Sequence, residues 1–407
     1  MTIFARVTLP LAAVNFLNQA SRAVMAVIGP LLAMEFALSA SDLGLLAAAL
    51  FVGYALAQLP VGLALDLFGP RRVQTVLALV CAAGFATCAL APDPTILGIG
   101  RFVTGLGIAA GLMAMLKANT LWYPRHRIAA MTGRGVFVGA LGGMAVTLPL
   151  ATLLPVIGWR GGFVILAAAS CAVALWIWLS VRDAPEGTPT PPKRGLAAEL
   201  AAFARVFVHP VFLRFTPAVA FVAVLQFTWQ GLWTGPWLRD VAGMGDATRA
   251  GVLFIFACGA AAGSLISGNL ASLAQARGLS PYLVSWTAMG GQLLVQLLLL
   301  LHVTDDVVLL SLIWFAFAFC GASSTAGYAA VGQSFGPELA GRVATAINAL
   351  MLCAVFILQY AIGAILDLWP RTATGGWDAA GYSWAFGLSL ALQAAAILWM
   401  MKGARGG

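Results

Sequence analysis

Charge is scarce in this sequence. Only 9% of its 407 residues are Asp, Glu, Lys or Arg, while 61% are hydrophobic; soluble domains carry about 25% charged residues. A water-soluble globular chain is excluded. Histidine is scarcer still, with three residues, His126, His209 and His302, dispersed in loops or near helix ends. There is no HExxH, GxSxG or CxxC arrangement, so the pattern offers no zinc protease, nucleophile elbow or dithiol pair. An enzyme is not expected, nor is a cofactor or a metal. The six cysteines, Cys81, Cys88, Cys171, Cys258, Cys320 and Cys353, all fall inside apolar runs, act there as small apolar residues and report nothing about redox compartment. All 14 acidic residues fall in loops or at helix ends, Glu35, Asp66 and Asp367 included.

What is abundant is apolar sequence in long runs. Crossing a hydrocarbon core about 30 Å thick takes about 20 apolar residues. Twelve such runs follow one another, at about 7 to 34, 41 to 64, 73 to 91, 95 to 121, 128 to 155, 159 to 181, 211 to 238, 248 to 271, 282 to 302, 306 to 333, 340 to 367 and 382 to 402. The start, with Arg6 before "VTLPLAAV", has the look of a signal peptide, but the apolar run continues into "VIGPLLAMEF"; a retained first span is expected.

The net charge of +8 is distributed as membrane topology, not as a nucleic-acid surface. With the N-terminus inside, only Arg160, Arg239, Arg249 and Arg371 fall outside, Arg22, Arg101 and Lys117 lie within spans, and all other Lys and Arg residues lie on the cytoplasmic side or its edge. That asymmetry predicts both termini in the cytoplasm and a multi-pass protein of the inner (plasma) membrane. The partners expected are the lipid bilayer and a small molecule, with no nucleic acid, in a monomer.

One long interruption, "RDAPEGTPTPPKRGLAAELAAFARVFVHP" from Arg182 to Pro210, divides the runs six and six. Its Pro-rich start is a semi-extended tether, and Gly195 to Val208 reads as a short surface helix. The expected organisation is an N-terminal bundle over 1–183, a linker over 184–210 and a C-terminal bundle over 211–407. The second run ends in "GLALDLFGPRR" and the eighth in "GNLASLAQAR", with Gly268 spaced like Gly62 and Ser272 where Asp66 would be. Such a weak repeat suits a duplicated transporter with its site at mid-membrane between the halves. Small-x3-small spacings, Gly107 to Gly111, Gly139 to Gly143 and Gly259 to Gly263, predict close helix packing.

Three motifs carry a family resemblance. Gly62-x3-Asp66-x2-Gly69-x-Arg71-Arg72 matches the loop motif between spans two and three of the major facilitator superfamily; Arg101-x2-Thr104-Gly105-x-Gly107 matches its fourth-span motif, with Thr104 in place of the commoner Gln. "KANTLWYPRHRIAAMTG", Lys117 to Gly133, is similar to a stretch found in branches that carry organic anions. The fifth span, "GVFVGALGGMAVTLP", lacks the Gly-Pro of the family's antiporter motif. The resemblance implies an all-α membrane protein of twelve transmembrane helices in two pseudo-symmetric six-helix bundles, working by alternating access. In the loop motif Asp66, beside Arg71 and Arg72, acts either as a conformational latch or as a plain topology anchor.

A mid-span arginine costs about 2.5 to 3.5 kcal/mol on insertion scales, which marks it as a functional-site candidate. Arg22 lies midway along the first span. At about 100° per residue, Asn15, Asn18, Gln19 and Arg22 share one stripe less than about 120° wide, which faces either a cavity or another helix. Gln226, Trp229, Gln230 and Trp233 in the seventh span repeat the spacing; their indoles suit cations or flat apolar surfaces, or else pack against helices. With no acid at Arg22's depth in the sequence, the expected counter-charge is a substrate carboxylate, sulfonate or phosphate. Tyr54, Tyr328 and Asn348 are further lining candidates. Arg101 and Lys117 are about 24 Å and about 160° apart on a straight helix, so both cannot enter one cavity; the resemblance ties Arg101 to proton transfer and helix contacts, and Lys117 reads as a snorkelling residue or a coupling one.

The function expected is secondary transport of a small organic anion, with a flat or aromatic part where the indoles are exposed. The alternative is a proton-coupled exporter of amphipathic compounds; a metal importer has less support, since Met113 and Met115 face different directions. An inside-negative potential opposes anion entry by about 2.3 kcal/mol per charge per 100 mV, so uptake needs either coupled protons or exchange.

Overall fold

The computed structural model describes residues 2–185, 203–280, 282–335, 339–373 and 375–402, and the regular structure among them is helical. A π-helical turn, Phe4–Thr8, leads into α1 (Leu9–Glu35); α2 (Ala40–Ala89), α3 (Pro94–Ile108), α4 (Gly111–Trp122), α5 (Arg125–Ala145) and α6 (Leu148–Ser180) follow. Later come α7 (Pro210–Thr228), a second π turn (Trp229–Trp233), α8 (Thr234–Asp240), α9 (Asp246–Ala276), α10 (Leu283–Leu300), α11 (Val307–Ala322), α12 (Ser324–Gln333), α13 (Ala340–Leu366) and α14 (Ala379–Lys402). Starts are set by local caps. Asp93 accepts the Ile96 N–H at 2.9 Å with Pro94 in the first turn of α3, and Asp306 accepts the Leu309 N–H at 2.8 Å for α11; both satisfy donors the helix leaves open.

Ten helical stretches among the described residues are long and apolar enough to cross a membrane. One of them, Ala40–Ala89, is 50 residues long and turns at Gly69, whose φ of 77° and ψ of 162° only glycine adopts without strain; the turn makes two spans of it. The fifth span combines α5 with the start of α6, up to a second positive-φ glycine, Gly158. The arginines at the start of α5 lower its apolarity, yet its length and position complete the twelve spans read from the sequence. Large apolar side chains such as Leu56, Leu179 and Leu312 are exposed, as suits surfaces turned to lipid rather than water.

The chain gathers into two compact units, Met1–Ala37 with Leu45–Arg194, and Leu38–Gly44 with Gly195–Gly407. Most of the linker expected over 184–210 lies outside the described residues; of the surface helix expected from Gly195 to Val208, residues 203–207 are helical. In the first unit α1 packs on α5, where Gly142 leaves no room for a Cβ beside the Phe16 carbonyl. In the second, α9 lies against α11 with Gly259 on the Phe315 carbonyl and Gly263 on the Phe319 carbonyl, the close approach that small-x3-small spacing permits. Gly259→Val should overpack this contact at a cost of about 1–3 kcal/mol, read as a lower melting temperature of the detergent-purified protein. The second unit is also held by buried amides: Gln296 donates to Gln393 at 2.5 Å, Gln393 to Gln292 at 3.2 Å, and Gln292 to the Val222 carbonyl at 3.1 Å. Away from water these amides have no better partners than one another.

Candidate functional site

Part of the polar stripe on α1 converges with α2 and with a break in the fourth span. That span is not straight; it is interrupted between α3 and α4 at Ala109 and Ala110, which frees carbonyls at membrane depth. The Asn18 amide from α1 donates to the Ile108 carbonyl at 3.3 Å, and Gln58 from α2 to the Ala109 carbonyl at 3.5 Å. Irregular backbone inside a bilayer persists only where such groups satisfy it. Asn18 also donates to the Tyr54 hydroxyl at 3.4 Å. One turn on, Arg22 is 6% exposed, with its guanidinium carbon 5.0 Å from the centre of the Tyr54 ring and 5.8 Å from that of Phe51. Both distances are within cation–π range.

Arg22, Asn18 and Tyr54 are thus brought together. Phe51 was missed, although it lies three residues before Tyr54, the spacing that puts two residues on one helix face. Asn15 goes elsewhere: its amide fills the space left by Gly139 on α5. Gln19 is half-buried.

The residues expected to gate or couple sort differently from the sequence expectation. Lys117 is tied to α2. Its ammonium donates to the Leu65 carbonyl at 2.7 Å and pairs with the Asp66 carboxylate at 2.5 Å, joining α4 to the end of the first half of α2. Asp66 therefore meets Lys117 instead of the arginines beyond the turn. Asp183 caps the backbone here: its carboxylate accepts the Arg71 backbone N–H at 2.7 Å, over Gly69, where a Cβ would obstruct it. The Arg71 side chain donates to the Trp178 carbonyl at 3.0 and 2.7 Å and lies over the Trp178 ring. Asp183 was missed because its partner lies 112 residues away and no local pattern announces it. Arg72 is exposed. Arg101, 1% exposed, donates to the Ser21 carbonyl of α1 at 2.6 Å, so it and Lys117 reach different helices. In the same stretch Trp122 donates to the Arg182 carbonyl at 3.2 Å and Asn119 accepts from Thr8 at 2.8 Å.

In the second unit the two indoles are covered. Trp229 and Trp233 are fully buried; Trp229 stacks on Phe386 at 4.0 Å, and Trp233 donates to the Gln359 carbonyl at 3.3 Å. The turn holding them is π-helical, so the 100° step used to align them with α1 does not hold there. Gln359 in turn donates to the Thr228 carbonyl at 3.2 Å, at the junction of the two helix types. Gln226 is buried against Gly321, while Gln230, Tyr328 and Asn348 are half-buried. Among the described residues no group of three or more His, Cys, Asp or Glu is placed to hold a metal ion.

The sequence profile of the Major Facilitator Superfamily matches residues 11–359. Among curated proteins, the chain is 31% identical over 172 residues to a probable sulfoacetate transporter of Cupriavidus necator, 42% of this chain and 40% of that protein. It is 27% identical over 176 residues to a niacin transporter of Acinetobacter baylyi, 42% and 38% of the two chains. With a 4-hydroxybenzoate transporter of Pseudomonas putida it shares 31% over 179 residues, 43% and 39%. The matched stretch spans about two fifths of the length of each of these relatives. Among solved structures, a bacterial homologue of the human lysosomal transporter Spinster superposes with a TM-score of 0.75 at 20% identity over 98% of this chain and 96% of that one. The xylose transporter XylE from E. coli gives 0.74 at 14% over 98% and 97%. These two likenesses concern the fold.

Proposed function

We propose that this chain, which belongs to the Major Facilitator Superfamily, is a secondary active transporter that moves a small organic anion across the bacterial inner membrane by alternating access. The observation that carries the reading is Arg22: a guanidinium held at mid-span, 6% exposed, within cation–π range of the Tyr54 and Phe51 rings and one turn from Asn18. A permanent charge at that depth repays its insertion cost when it recognises an opposite charge. The three curated relatives are named for sulfoacetate, niacin and 4-hydroxybenzoate, which share an acidic group on a small body. The exporter of amphipathic compounds loses its main support, since the indoles that would form its aromatic wall are buried.

Residues 1–183 and 211–407 act as the two bundles and 184–210 as the linker, with both termini cytoplasmic, as the distribution of Lys and Arg favours. Asn18, Arg22 and Tyr54 contact the substrate; Asp66 and Lys117 serve the change of state. Uptake proceeds with coupled protons or by exchange.

Thermal unfolding of the purified protein against a panel of small carboxylates, sulfonates, phosphates and amphipathic cations tests the proposal. A substrate anion at 100 times its dissociation constant should add about 2.7 kcal/mol. Stabilisation by amphipathic cations alone would replace this reading with the exporter.

A further inference from the structure

Two acceptor atoms beside Arg22 are left over. The break between α3 and α4 turns out two consecutive carbonyls, and each takes one side-chain amide: Ile108 accepts from Asn18 at 3.3 Å, and Ala109 from Gln58 at 3.5 Å. A backbone carbonyl accepts and never donates, so these bonds fix which end of each amide is the nitrogen. The amide oxygens point elsewhere. Among the described residues no donor reaches Asn18 Oδ1 or Gln58 Oε1, although Asn18 is 2% exposed and Gln58 1%.

Covering the break needs donors alone. Each amide also brings an acceptor that has given up water and gained no partner, a cost that closing the helix ladder does not require. Other buried amides keep an unmet oxygen, Gln296 and Gln359 among them; this pair differs in lying beside a mid-span cation. Arg22 is one turn beyond Asn18 on α1, and Gln58 is one turn beyond Tyr54 on α2, whose ring the Arg22 guanidinium carbon approaches to 5.0 Å. Residues one turn apart on a helix face are about 6 Å apart. A cation and two neutral acceptors thus lie along one face of the first unit.

We infer that the transported anion carries a neutral hydrogen-bond donor, a hydroxyl or an amide N–H, about one helical turn from its acid group, and that Asn18 Oδ1 and Gln58 Oε1 receive it. Gln58 is then a specificity-determining residue. An ammonium donor does not fit, because it would share the site with the Arg22 guanidinium and meet neutral oxygens in place of a carboxylate. A site that buries acceptors rejects an analogue lacking the donor more sharply than an apolar pocket rejects a change of size. The inference rests on Arg22 holding an anion, and its test separates the two.

The test measures thermal stabilisation of the purified full-length protein by matched acids. One triplet is trans-4-hydroxycyclohexanecarboxylate, its methyl ether and cyclohexanecarboxylate; a flexible one is 5-hydroxypentanoate, 5-methoxypentanoate and pentanoate. The hydroxy acid of at least one triplet should bind about tenfold more tightly than both of its partners, the scale of one hydrogen bond to an acceptor otherwise left buried and unmet. This comparison needs no variant to fold. Gln58→Met, close in size but without the oxygen, should bring the preference to within about twofold, while Asp305→Asn, an exposed change elsewhere, keeps it. Equal binding within every triplet to the wild-type protein would overturn the donor and leave the anion standing. An unchanged preference in a folded Gln58→Met protein, with all three acids weakened alike, would overturn Gln58 as the acceptor and make it a cover for the break. Stabilisation by none of the six acids would remove the anion reading and this inference with it.

Discussion

Arg22→Gln is expected to abolish anion binding in a protein that still inserts and folds. Removing a mid-span charge relieves an insertion cost of about 2.5 to 3.5 kcal/mol, and glutamine stays polar enough to share the Asn18 side of α1. Binding should suffer far more, because losing one partner of a desolvated charge pair costs about 2–5 kcal/mol, at least roughly 30-fold in Kd. Arg22→Lys should fall between the two: an ammonium keeps the charge but loses the paired donors and the flat face that lies over Tyr54 at 5.0 Å. Tyr54→Phe separates the roles of ring and hydroxyl. It keeps the ring beside Arg22 and removes only the 3.4 Å bond from Asn18, so binding should change by less than about threefold, the worth of one weak neutral hydrogen bond. Calorimetric titration of an anion found in the thermal screen measures all three. A folded Arg22→Gln protein with wild-type affinity would remove Arg22 from the site and the anion from the proposal.

Twelve spans were legible because hydropathy reports each helix independently of its neighbours. The turns at Gly69 and Gly158 fell where the apolar runs broke, since a positive φ there needs glycine and each turn interrupts an apolar stretch. What periodicity could not report were departures from the α ladder. The break at Ala109 and Ala110 and the π turn at Trp229–Trp233 leave composition unchanged. Yet the first supplies the carbonyls that position Asn18 and Gln58, and the second turns Trp229 onto Phe386. Partners of the acids were hidden for another reason. Asp66 with the Lys117 ammonium and Asp183 with the Arg71 backbone N–H are 51 and 112 residues apart, and only the packing of helices decides which donor an acid meets.

Asp66→Asn is expected to slow transport about tenfold, a shift of about 1.4 kcal/mol between states, while leaving the Kd for substrate within about twofold. The pair it breaks is half exposed, with side chains 26% and 69% accessible, and such pairs add little to overall stability. A contact that contributes little to stability can still bias two conformations when it forms in only one of them. Lys117→Met should produce the same slowing, since both variants remove the same bridge. The geometry also predicts an asymmetry in the charge swap. Lys117 donates to the Leu65 carbonyl at 2.7 Å as well as to Asp66, and this carbonyl belongs to the negative end of a helix that the Gly69 turn terminates. In Asp66→Lys/Lys117→Asp the opposite charges are restored, but the new carboxylate faces that negative end. Rescue should therefore be partial, well short of the wild-type rate, and should weaken as salt screens the pair. Initial rates in proteoliposomes at two ionic strengths measure each variant. Full rescue by the swap would mean that charge pairing alone matters and that the carbonyl plays no part. Wild-type rates for both single variants would leave Asp66 as a mark of topology.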